Sequence, residues 1–117
     1  MTLTPAPAIY RRWPVVALSL LTLTLAGPSQ AASSKAVTIR IVNFEFTPAI
    51  VTVAPGAIVT WINGDEDAHS VVSDTKAFHS PALDTNDRYS FTIAAAGDYA
   101  YHCGLHPHMV GKILVRR

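Results

Sequence analysis

The sequence predicts an all-β domain, a Greek-key sandwich of about seven to eight strands. Three observations carry this. Apolar and β-branched residues alternate with polar ones in short runs. Gly, Pro, Asn and Asp punctuate those runs. No stretch after residue 31 keeps a helical period.

The elements follow in order. Val37, Ile39 and Ile41 alternate with Thr38 and Arg40, which predicts a first strand. Residues 50–53 predict a second, and Pro55-Gly56 marks a turn. Residues 57–62 (AIVTWI) are rich in β-branched and aromatic side chains and predict a third. Asn63 to Asp67 reads as a polar loop, its acidic run Asp65-Glu66-Asp67 solvated, and residues 69–73 as a short fourth strand. Residues 74–87 hold turn residues and one weak edge strand. Residues 88–93 (RYSFTI) alternate again, and a turn at Gly97 leads into a strand carrying Tyr99, Tyr101 and Cys103 on one face. Residues 110–115 close the domain. Such a pattern predicts two packed antiparallel sheets.

The first 31 residues do not read as fold. Arg11 and Arg12 precede a fourteen-residue apolar run without charge, residues 13–26. Ser29 and Ala31 supply small residues at the −3 and −1 positions. The run is shorter than the roughly 20 residues of a spanning helix. Residues 1–31 are therefore expected to be a cleaved signal peptide, and residues 32–117 an exported domain in the periplasm.

Removal of residues 1–31 leaves 86 residues with seven Lys and Arg against eight Asp and Glu, a formal charge of −1. No basic stripe interleaved with aromatics exists, which excludes a nucleic-acid surface. Exported cysteines normally pair, yet this chain has one, Cys103.

The neighbours of Cys103 explain it. In Cys103-Gly104-Leu105-His106-Pro107-His108-Met109, a thiol, an imidazole and a thioether fall within seven residues. Pro107 disfavours helical geometry at His106, so the segment is a tight loop between two strands. His69, at a sheet end after the acidic loop, is placed to add a fourth donor. Two imidazoles, one thiolate and a weak thioether are the donor set of a mononuclear blue copper site. Zinc also takes Cys and His, but its structural sites use four strong ligands. His102 alternates away from Cys103 on its strand, His79 reads as part of a surface turn, and His108 as a surface residue.

From about residue 37 to the C-terminus the chain resembles the cupredoxin family, most closely its amicyanin and plastocyanin-like members. The resemblance rests on Val59-Thr60-Trp61-Ile62-Asn63, His69-Ser70-Val71-Val72, Gly97-Asp98-Tyr99-Ala100-Tyr101-His102-Cys103 and His106-Pro107-His108-Met109-Val110-Gly111-Lys112. The two-residue gap between His106 and Met109 is similar to that of amicyanin. This implies that His69, Cys103, His106 and Met109 ligate one copper per chain, cycling between Cu(I) and Cu(II). It implies a monomeric one-electron carrier, not an enzyme. It also implies transient redox partners, such as a c-type cytochrome or a periplasmic dehydrogenase, docking near Leu105, His106 and Pro107. The chain departs from the family in two places. Ser70 stands where Asn is frequent, which predicts a weaker side-chain tie between loops. Leu105 and His108 stand where amicyanin has Pro and Phe.

Overall fold

Alternation between apolar and polar side chains favours extended backbone with one buried face. The structure, a computed structural model, describes residues 2–9, 14, 26–27 and 34–117. The chain divides into two units, Met1–Gln30 and Ala31–Arg117, and the fold is that of the second. The expected signal peptide, residues 1–31, falls for the most part outside the described residues. Among the described residues there are seven strands: β1 Ser34–Val42, β2 Glu45–Thr47, β3 Ile50–Asn63, β4 Val72–Ser73, β5 Arg88–Ile93, β6 Gly97–His102 and β7 Val110–Val115.

The long strand β3 joins the two layers. Its residues 50–53 pair with β7, while residues 57–63 pair with β1 on one side and β5 on the other. The expected turn at Pro55-Gly56 is instead a bend within one strand. Gly56 takes a φ of 86°, which a residue without a Cβ adopts at little cost. Alternation survives the bend: Val51 and Val53 before it, and Ala57, Val59 and Trp61 after it, are all buried. The strand order is β2-β1-β3-β7-β6-β4, with β5 on the free side of β3. The expectation of purely antiparallel sheets is corrected, because β1–β3 and β3–β7 run parallel. Alternation reports which face is buried and carries no information on strand direction.

Two smaller expectations also change. Strand β2 was not foreseen; only Phe46 of its three residues is buried, too short a pattern to register as a strand. The expected fourth strand narrows to Val72–Ser73. His69 joins the sheet through an isolated bridge to Leu83, and the weak edge strand reduces to that bridge and one between Val72 and His79.

The core centres on Trp61, fully buried, with Phe78, Tyr89 and Tyr101 at centroid distances of 5.4, 5.8 and 5.5 Å. Ile39, Ile41, Val59, Ile93, Ile113 and Val115 fill the space between the layers. Tyr101 lies opposite Gly111 in the β6–β7 ladder, and a Cβ on Gly111 would overlap the end of the Tyr101 ring. Glycine is therefore what lets this ring lie flat across β7. The Tyr101 hydroxyl and the Trp61 indole N–H are buried without a hydrogen-bond partner among the described residues. Burial pushes the Tyr101 hydroxyl up to about 12, with the nearby Trp61 N–H opposing part of the rise.

Two predictions follow from this packing. Gly111→Ala should destabilise the domain by about 1–3 kcal/mol, the usual cost of overpacking a filled core, measured by urea unfolding. The Tyr101 hydroxyl is ordinary when unfolded, near 10, and raised when folded. Its contribution to stability is thus full below pH 10 and lost as pH rises towards 12. Unfolding free energy measured across that range should fall in the wild type and fall less in Tyr101→Phe; identical profiles would exclude this assignment.

Candidate metal centre

Cys103 leaves β6 fully buried, at the start of a loop that two backbone hydrogen bonds close. The Cys103 N–H donates to the Met109 carbonyl at 3.0 Å, and the Met109 N–H donates to the His106 carbonyl at 2.9 Å. The residues between are forced into a tight arch that returns His106 towards the Cys103 sulfur. His106 Nδ1 lies 3.8 Å from Sγ, and His69 Nδ1 lies 3.7 Å from it. These three donor atoms all lie within 4.8 Å of one another. His69 is fully buried, His106 half-buried, and Met109, at the closing residue of the arch, is buried.

The His69 ring is oriented from behind. Its Nε2 donates to Asp65 Oδ2 at 2.9 Å. A carboxylate accepts only, so the proton sits on Nε2 and the Nδ1 lone pair faces the sulfur. Asp65 also accepts the N–H groups of Asn43, at 2.7 Å, and Phe44, at 2.9 Å. Burial pushes the Asp65 carboxyl up, but the hydrogen bonds from Phe44, Asn43 and His69 outweigh it and hold it below the usual value. Asn63 locks the loop in turn: its Oδ1 accepts the Asp65 N–H, and its Nδ2 donates to the carbonyls of Asp67 and Leu83.

Asn43 and Phe44 form the two-residue turn between β1 and β2, with φ of 53° and 62°. A hairpin turn of this kind needs positive φ at both positions. A bulky residue such as Phe rarely adopts it. The Asp65 hydrogen bonds hold Phe44 there, and its ring stands edge-on to both imidazoles, 5.1 Å from His69 and 5.1 Å from His106.

The two loops meet through Ser70. Its N–H donates to Cys103 Sγ at 3.4 Å, and its hydroxyl accepts the Gly104 N–H at 2.9 Å. The side-chain tie at this position is made by the Ser70 hydroxyl. A Cβ on Gly104 would lie 2.7 Å from that hydroxyl, so the link needs a glycine there.

Of the sequence candidates, His69, Cys103 and His106 converge, and Met109 ends their arch. His102 faces away, its Nδ1 2.7 Å from Asp74, while His79 and His108 are exposed and outside the cluster. Leu105 and Pro107 are exposed beside His106. Sequence reasoning missed Asp65, Asn63 and Phe44. The signals present were a carboxylate four residues before His69 and a polar residue directly after the apolar run of β3.

A thiol, two imidazoles and a buried thioether residue gathered this closely fit copper better than any other common metal, because soft sulfur favours Cu(I) and imidazole accepts both states. Comparison with known proteins agrees. Residues 15–115 match the family model described as a cupredoxin-like domain. The chain is similar to amicyanin from Paracoccus denitrificans, 34% identical over 68% of this chain and 65% of that protein, so the match spans just under two thirds of it. Among solved structures it is similar to a purple cupredoxin from Nitrosopumilus maritimus: TM-score 0.65, 31% identity, 68% of this chain and 99% of that one. It is also similar to a copper-containing nitrite reductase from Thermus scotoductus: TM-score 0.66, 28% identity, 80% of this chain but 25% of the enzyme.

Asp65→Ala would leave the buried His69 N–H without an acceptor. The metal-free domain should lose about 2 kcal/mol in urea unfolding, whereas Glu66→Ala, exposed beside it, should change stability by less than about 0.5 kcal/mol.

Proposed function

The chain belongs to the cupredoxin-like family, and from that premise we propose that it is an exported, monomeric carrier of single electrons in the periplasm. His69, Cys103, His106 and Met109 hold its one copper ion. The observation that carries this reading is the convergence of Cys103 Sγ with Nδ1 of His69 and of His106. When bound, copper supplies a one-electron Cu(I)/Cu(II) couple, with no substrate bond made or broken.

The chain's own residues do the rest. Asp65 holds the His69 ring so that Nδ1 presents its lone pair. The Ser70 N–H donates to the sulfur. Such hydrogen bonds beyond the ligands tune a metal's affinity and potential. Cys103, His69 and Met109 are buried away from water. His106, half-buried between exposed Leu105 and Pro107, is the side chain nearest the surface, and electrons enter and leave there. A small apolar rim suits brief contact with a c-type cytochrome or a periplasmic dehydrogenase, since redox encounters bury little surface. The charged and apolar pattern of residues 11–31 supports cleavage after Ala31 and export.

The test is to express residues 32–117, add Cu(II), and record visible absorption and electron paramagnetic resonance. An intense thiolate-to-copper band with narrow hyperfine splitting, abolished in Cys103→Ala, is expected. A weakly coloured product with ordinary copper resonance would sink the electron-carrier reading.

A further inference from the structure

On the outer face of the layer that ends in Cys103, the sheet sets two histidines in register. Val72 of β4 pairs with His102 of β6 on one side and with His79 on the other. Directly paired residues on neighbouring antiparallel strands share a face. That face points outward, since Val71, Ser73, Phe78, Ser80, Tyr101 and Cys103, the neighbours along each strand, are all buried. The two histidines are separated by two strand spacings, about 9–10 Å, with only the half-buried Val72 between them.

A second observation concerns ring orientation. Asp74, two residues after Val72, shares the same outward face. Its Oδ1 lies 2.7 Å from Nδ1 of His102, whose side chain is 32% exposed. A carboxylate that accepts the proton of one ring nitrogen leaves the other nitrogen's lone pair free. Metal-binding histidines are held in this manner. His79 is exposed and its ring makes no hydrogen bond among the described residues.

We propose that His102 and His79, with Asp74 orienting His102, form a second, outer cation site distinct from the buried Cys103 cluster. Its ligand class is a borderline divalent ion such as Zn2+ or Cu2+. Imidazole nitrogen selects these over Mg2+ or Ca2+, which prefer oxygen. Metal–nitrogen bonds of roughly 2.0–2.1 Å let two imidazoles meet at one ion above Val72, with water completing the coordination.

The experiment is a titration of Zn2+ into the full domain with its buried site already filled by Cu(I), which keeps the protein diamagnetic. Histidine ring signals are followed by nuclear magnetic resonance. The His79 and His102 signals should shift together, saturating at one equivalent, while His108 stays unmoved. His79→Gln and His102→Gln should each weaken binding at least about tenfold, and Asp74→Asn by about tenfold, the usual cost of removing a residue that orients a ligand. His108→Gln should change nothing. Unchanged affinity in both His79→Gln and His102→Gln, or shifts spread evenly over all histidines, would overturn the site. Should the first equivalent of copper fail to bind, the same Zn2+ titration on the Cys103→Ala protein still tests the outer site, through the His79 and His102 substitutions alone.

Discussion

The Asp65 carboxylate accepts N–H groups from two places that are far apart in the chain: Asn43 and Phe44, some twenty residues before it, and His69, four residues after it. Each bond has its own structural effect. The first two hold a hairpin turn in a backbone conformation that costs a residue with a Cβ about 1–2 kcal/mol. The third fixes the tautomer and direction of a fully buried imidazole. Because one group makes all three, the ends of β1 and β2 cannot move without moving His69. Asn63 extends the constraint by bonding the Asp65 backbone and the Leu83 carbonyl, which ties in the segment that bridges to His69. The strain at Phe44 then has a local explanation: it brings an aromatic ring edge-on to both imidazoles. Backbone strain of this kind collects where function needs it.

This arrangement depends on the path of β3. By bending at Gly56 it serves both layers, and its C-terminal half ends at Asn63, beside the Asp65 loop. Its N-terminal half pairs with β7, which returns from the loop carrying Cys103, His106 and Met109. The loops after β3 and after β6 are thereby brought to one end of the sandwich. Trp61, two residues before Asn63, and Tyr101, two before Cys103, pack against each other at 5.5 Å. The aromatic core thus supports both loops at the same depth.

How much of this was legible in the sequence depended on the range of the interaction. The main alternating strands and the tight loop after Tyr101 are short-range patterns, and the structure has both. The pairing of β1 with β3 and of β3 with β7 as parallel strands was not legible, since direction is decided by contacts between distant segments. Strand β2 shows one buried apolar residue, too few for a period. Phe44 contradicts its own backbone preference, and only the distant Asp65 makes the turn readable. Asp65 itself lies in a run of three acidic residues, which by composition reads as solvated loop; its neighbour Glu66 is indeed exposed.

Ser70 shows how a short side chain can link two loops. A serine side chain reaches only a short way, so the opposing loop must lie close. Gly104 allows that approach: a Cβ there would stand 2.7 Å from the Ser70 oxygen, and its absence lets the Gly104 N–H donate to it at 2.9 Å. The Ser70 N–H meanwhile donates to the sulfur of Cys103. Ser70 and Gly104 are therefore one unit, spanning the two loops at the point where the thiol sits. Around the Cys103 sulfur, Asp65 holds the His69 ring and the Ser70 N–H holds the sulfur itself. A frame set in this way has little freedom to follow changes in the charge of whatever it binds, and small structural change between charge states is what makes transfer of a single electron fast.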